Sequence, residues 1–253
     1  MKFIIDMDGV IYRGSTPLPH AAEFIEFLQK NEIEFVFATN NSTKTREMFA
    51  EKLARMGINV KPERIITSSY ATAEFLRNRE KNGRAIIIGE KGVEEETKRI
   101  GWKVLNLDEW RKATHVLVGM DRNLTYEKLK SGTLAINNGA EFVATNSDVN
   151  FPSEEGLIPG AGSMVAALEA ATGKKAMVIG KPNEPYIEIL KNVLGDGEYW
   201  MVGDRTDTDM ILGRKLNARN VLLLTGVAKK PAGMEDYVFN DLGEFVNFLR
   251  DRI

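Results

Sequence analysis

A chain of 253 residues, 43% hydrophobic and 28% charged, carries enough apolar material for one large soluble domain or two small ones. Its net charge of −2 offers no basic field for a nucleic-acid polymer or an anionic membrane surface, and no apolar run approaches the ~20 residues that cross a bilayer. Having no cysteine and only two histidines, His20 and His115, it excludes disulfides, thiolate catalysis and Cys-ligated zinc, and makes a His-rich metal centre or a Ser-His-Asp triad improbable. The cysteine count fits a cytoplasmic protein, and two carboxylates by residue 8 predict that the N-terminus is no signal peptide.

From the N-terminus, short apolar runs alternate with amphipathic stretches. Phe3–Ile5, Phe35–Ala38 and Ile65–Thr67 read as strands; 21–30, 43–56 and 70–79 read as helices, with Phe24, Phe27 and Leu28 at helical spacing. The middle adds strands at 84–89, 115–120 and 141–144 and helices at 93–100 and 125–137. A loop rich in turn formers then runs from Asn146 to Gly162. Strands at 176–179, 199–202 and 221–224 follow, with helices at 184–194, 208–216 and 241–250. The alternation predicts an α/β fold with a parallel sheet covered on both faces. The pattern alone does not decide whether the middle is a separate domain.

Four motifs each begin where a predicted strand ends. Asp6-Met7-Asp8-Gly9-Val10 places two carboxylates two residues apart, able to share one side of the strand end. There they suit a hard cation such as Mg²⁺, and an Asp can also attack phosphorus; a solvated turn accounts for the pair equally well. Thr39-Asn40-Asn41-Ser42 offers small hydroxyl, amide and backbone donors suited to phosphate, though Ser42 or Thr43 is also a natural helix N-cap. Gly180-Lys181-Pro182-Asn183 supplies a point charge able to neutralise phosphate, or an ordinary surface lysine in a turn. Gly203-Asp204-Arg205-Thr206-Asp207-Thr208-Asp209 provides a close-approach glycine and a candidate ligand in Asp204. Thr206 and Asp209 also match a capping-box spacing. In open α/β sheets ligands bind beyond the carboxyl ends of the strands, so the four motifs are expected to converge on one edge of one sheet.

This ordered set resembles the haloacid dehalogenase (HAD) superfamily, and within it subfamily IIA, the NagD-like and p-nitrophenyl phosphatase group. Pro159-Gly160-Ala161-Gly162-Ser163 also looks like that subfamily, and the resemblance covers essentially the whole chain. It implies a Rossmann-like three-layer core with a parallel sheet, formed by residues 1–80 and 175–253. An inserted α/β cap of the C2 type, residues 81–174, would close over bound substrate on hinges near residues 80 and 174. It further implies a Mg²⁺-dependent phosphatase of small phosphate monoesters, with an aspartyl-phosphate on Asp6. In that family pattern Asp8 is the general acid and then base, Thr39, Asn40 and Lys181 hold the phosphoryl oxygens, and the metal is held by Asp6, the Asp8 backbone carbonyl and Asp204, with Asp209 supporting directly or through water.

The cap loop 146–160 would carry specificity, but its segment Ser147-Asp148-Val149-Asn150-Phe151-Pro152 holds few charges with which to select a leaving group. Trp102, Trp110 and Phe142 are read as cap core, with an interface as the other option, and the resemblance implies a homodimer paired through the cap. A phosphotransferase or phosphomutase on the same fold, and a non-enzymatic phosphate-metabolite sensor, are the competing readings. A dinucleotide-binding oxidoreductase is disfavoured, because no Gly-x-Gly-x-x-Gly follows the first strand.

Overall fold

The computed structural model describes residues 1–153 and 155–252. The chain divides into two compact units, Met1–Thr39, Glu47–Ile66 and Leu190–Ile253 in one, Asn40–Arg46 and Thr67–Ile189 in the other.

The first unit is built on a six-stranded sheet ordered Tyr237–Phe239, Arg219–Leu223, Tyr199–Gly203, Lys2–Ile5, Glu34–Thr39, Ile65–Thr67. Lys2–Ile5 lies at the centre and pairs in parallel on both sides, with Ile5 opposite Val202 and Phe37. Phe3, Ile4 and Ile5 are fully buried, as a strand covered on both faces requires, so it reads as a continuous apolar run. Helix Ala21–Lys30 buries Ala21, Phe24, Ile25 and Leu28, an i, i+3, i+4, i+7 stripe. Helix Leu242–Arg250 packs against it and buries Leu242, Phe245, Val246 and Leu249. Between them stand Phe3 and Trp200, stacked at 5.7 Å, and Phe24 and Phe245, at 5.5 Å. Truncating one of these rings to alanine costs about 3–5 kcal/mol, so the aromatic cluster fixes the sheet on which the first and fourth motifs sit.

The second unit is built on a five-stranded sheet, every pair parallel, ordered Met177–Val178, Glu141–Ala144, His115–Val118, Arg84–Ile88, Lys103–Val104. This departs from the expected convergence on one sheet. The strand before Lys181 pairs with Glu141–Ala144, so the first, second and fourth motifs close strands of the six-stranded sheet and the third, at Lys181, closes a strand of the other. A two-residue strand carries no sequence information about its partner, and tertiary context decides the pairing.

The stretch 146–162, expected as a loop, contains an antiparallel hairpin of Asn150–Ser153 with Gly156–Pro159. The helix Ala161–Thr172 follows and ends on Gly173 at φ 68°. Trp102 and Phe142 are buried, and Trp110 packs against the apolar cluster of this unit, so all three serve the core. Helix Arg46–Ala54 starts later than expected. Ser42 and Thr43 therefore precede it without capping it. The Thr43 N–H and hydroxyl both donate to Asn41 Oδ1, at 3.0 and 2.7 Å, a local turn that competes with helix.

Candidate active site

Asp6 follows the central strand directly, its N–H donating to Val202 O at 2.9 Å. Asp204 follows the neighbouring strand, Tyr199–Gly203. Asp209 opens helix Asp209–Lys215. The register thus carries these three carboxylates to one place, where oxygens of Asp6, Asp204 and Asp209 lie within 4.8 Å of one another. They are only 5%, 1% and 0% exposed. Three carboxylates so close and so deeply buried repel one another and have lost water, and a hard cation with oxygen ligands removes both penalties. The donor set therefore fits Mg²⁺.

Backbone donors and glycines shape this cluster. Asp209 Oδ2 accepts from the N–H groups of Asp204 and Arg205, both at 3.2 Å. The N-cap of its helix is Thr208, which makes no side-chain cap bond, so the predicted capping box with Thr206 does not form. Asp204 Oδ2 accepts from Val227 N–H at 2.6 Å. Two glycines make room for that carboxylate. A Cβ on Gly226 would lie 1.7 Å from Asp204 Oδ2, and one on Gly9 would lie 2.5 Å away; Gly9 also sits at φ +89°, where other residues are strained.

The Asp8 carboxylate has Tyr12 as a neighbour. Asp8 and Tyr12 form an isolated β-bridge, and the Tyr12 hydroxyl donates to Asp8 Oδ2 at 3.2 Å. Burial pushes the Tyr12 phenol well above its ordinary value, reinforced by the charges of Asp8 and Asp6 and by that hydrogen bond. The phenol therefore remains a proton donor at all physiological pH. Lys52 Nζ lies 3.2 Å over the Tyr12 ring. Tyr12 was not legible as a site residue, because a single aromatic four residues beyond an Asp carries no signal of its own.

Thr39 ends its strand and is buried. In the second unit the structure brings Asn40 and Lys181 together, Asn40 Nδ2 donating to the Lys181 carbonyl at 3.2 Å. Lys181 is itself buried, which removes the surface-lysine alternative. The Asn40 carbonyl accepts from Ser68 Oγ at 2.6 Å.

Comparison with known proteins gives the family. A model for haloacid dehalogenase-like hydrolases matches residues 3–103 and a second HAD-hydrolase-like model matches residues 178–245. The chain belongs to the HAD-like hydrolases. A curated relative, the acid sugar phosphatase of Staphylococcus epidermidis, is 37% identical over 89% of this chain and 87% of its own. A solved structure of a hypothetical protein from Pyrococcus horikoshii is 46% identical, with a TM-score of 0.93 over 98% of this chain and 100% of that one. The p-nitrophenyl phosphatase of Archaeoglobus fulgidus is 34% identical, with a TM-score of 0.90 over 98% of both chains. Within the family the chain falls in the NagD-like, p-nitrophenyl phosphatase group of subfamily IIA, and it is a phosphoric monoester hydrolase.

Proposed function

We propose that this chain is a Mg²⁺-dependent phosphatase that hydrolyses small phosphate monoesters in the cytoplasm through an aspartyl-phosphate on Asp6. The observation that carries the reading is the buried meeting of Asp6 and Asp204, at the ends of adjacent strands, with Asp209, at the start of the helix that follows. Asp6, Asp204, the Asp8 backbone carbonyl and Asp209, directly or through water, would hold the cation. When bound, it would offset the repulsion between an anionic carboxylate and an anionic phosphate.

The chain's own residues then divide the work. An Asp6 carboxylate oxygen attacks phosphorus, forming the acyl–phosphate bond as the ester P–O bond breaks. Asp8 gives its proton to the departing oxygen, and the Tyr12 hydroxyl on Oδ2 holds that carboxyl in place. In the second half Asp8 takes a proton from water, the water oxygen bonds to phosphorus, and inorganic phosphate and free Asp6 result. Thr39 and Lys181 hold the phosphoryl oxygens. Asn40 serves through its backbone N–H, because its side-chain amide already donates to the Lys181 carbonyl.

The reading keeps residues 1–80 and 175–253 as the catalytic core and 81–174 as the cap, with loop 146–160 shaping substrate choice and the cap pairing two copies. It is tested by a panel of p-nitrophenyl, sugar and nucleoside monophosphates with Mg²⁺, ranked by kcat/KM, alongside Asp6→Asn. The expected result is turnover by the wild-type chain and none by a folded Asp6→Asn variant. Near-wild-type hydrolysis by that variant overturns the nucleophile assignment.

A further inference from the structure

The β-strand Glu141–Ala144 runs into a loop whose first residues turn back onto Asn40. Asn146 is buried. Its Nδ2 donates to the Asn40 carbonyl at 2.7 Å and to Thr145 Oγ1 at 3.3 Å, while its Oδ1 accepts from Asp148 N–H at 3.1 Å. The Asp148 carboxylate accepts from Asn40 Nδ2 at 3.1 and 3.3 Å. With Ser68 on its carbonyl and the Lys181 carbonyl on its amide, Asn40 is fixed at both backbone and side chain.

The far end of the loop is pinned as firmly. The Gly162 N–H donates to the Asp148 carbonyl at 2.9 Å, and Gly160 N–H and Ser163 Oγ donate to the Val149 carbonyl at 2.9 and 2.6 Å. A Cβ on Gly162 would lie 2.3 Å from the Ser147 carbonyl oxygen. The run Pro159–Ser163 thus uses small residues to hold the loop base against Asn40.

We propose that Asn146 and Asp148 are positioning residues, which orient the Asn40 peptide and tie it to the Lys181 backbone so that the two phosphate-binding segments keep one geometry. This rests on the reading of Asn40 and Lys181 as phosphate-binding groups. The Asp148 carboxylate receives the Asn40 amide, and an ionised carboxylate has no proton to donate to a phosphoryl oxygen, so the role assigned to it is exerted through Asn40. Misplacing a binding group by about 1 Å costs up to ~100-fold in rate. Because every ester shares the phosphoryl group, the loss is the same for all of them.

The test compares Asn146→Ala, Asp148→Ala and Asp148→Asn with the wild-type chain on p-nitrophenyl phosphate, a sugar phosphate and a nucleoside 5′-monophosphate, with Mg²⁺. The inhibition constant of inorganic phosphate and the Tm are measured on the same proteins. For the alanine variants kcat/KM falls about 10- to 100-fold by a common factor on all three esters, and phosphate inhibition weakens about tenfold. Asp148→Asn, which keeps one acceptor oxygen, falls between. If the alanine variants do not fold, Asp148→Asn decides alone. Wild-type constants in a folded variant, or a loss confined to one ester, would overturn the positioning role beside an active wild type. A wild-type chain inert on every ester would remove the phosphatase reading and this role with it.

Discussion

Tyr12 and Asp8 face each other across a β-bridge, with the phenol hydroxyl 3.2 Å from Asp8 Oδ2. The ring is fully buried and stays protonated, so it offers Asp8 a donor that does not titrate with the reaction. Tyr12→Phe keeps the ring and the Lys52 contact and removes only that donor. Hydrogen bonds to charged groups contribute about 1.5–3 kcal/mol, so kcat is expected to fall about tenfold or more, with little change in Tm. Steady-state kinetics with p-nitrophenyl phosphate checks this, and an unchanged kcat would show that Asp8 needs no such partner.

Gly226 lies so close to Asp204 that the smallest side chain would overlap its carboxylate. The methyl of Gly226→Ala overlaps the Asp204 carboxylate, so that carboxylate, with its Val227 hydrogen bond, has to shift. On the proposed Mg²⁺ dependence, the half-activating Mg²⁺ concentration is expected to rise about tenfold or more, since disturbing metal-site geometry and its supports costs 10- to 100-fold in affinity. A Mg²⁺ activation curve identical to wild type would contradict it.

The three buried carboxylates also predict a thermal signature. Mg²⁺ at about 100 times its dissociation constant adds ~2.7 kcal/mol of stability, equivalent to ~5–10 °C in Tm for a chain of this size. A chelator removes the gain. Asp204→Asn relieves part of the repulsion, so in chelator it is expected to be at least as stable as wild type and to lose most of the Mg²⁺ response. Differential scanning calorimetry of both proteins in both conditions measures it.

His115 supplies a pH test independent of catalysis. It is buried against Trp102, with ring centroids 4.6 Å apart, and its Nδ1 lies 2.9 Å from Thr114 Oγ1. Burial lowers its pKa below 6.5, outweighing Glu141 and Glu80, which raise it; Arg79 adds to the lowering. The unfolded chain therefore binds the proton first as pH falls. The resulting stability is present above about pH 6.5 and is lost on acidification through the folded-state value. His115→Gln should show a flatter Tm profile than wild type between pH 7.5 and 5. Parallel profiles would assign the acid sensitivity elsewhere.

Much of the first unit was legible because its signals are local. An apolar run that stops at a carboxylate marks both a buried strand and its functional end, and Phe3–Ile5 before Asp6 and Tyr199–Val202 before Asp204 are two instances. Helix 161–172 was not legible, because Ala161, Gly162, Ser163 and the alanines that follow carry little amphipathic contrast. The sheet joined by Met177–Val178 was hidden for a different reason, since pairing partners are chosen by tertiary contacts. The link from Asp148 to Asn40 was not legible, because it is a hydrogen bond to a residue 108 positions away, and nothing local to Ser147–Pro152 announces it.

Residues Asn40–Arg46 belong to the second unit although the chain on either side belongs to the first. Their backbone is fitted closely there: Gly92 N–H donates to Thr43 O at 3.1 Å, and a Cβ on Gly92 would sit 2.4 Å from Ser42 O. Any chimera that swaps Thr67–Ile189 for the matching stretch of a relative would therefore seat a foreign surface on the host's 40–46 backbone. The grafted unit should keep its own fold and stability only when that seven-residue piece travels with it.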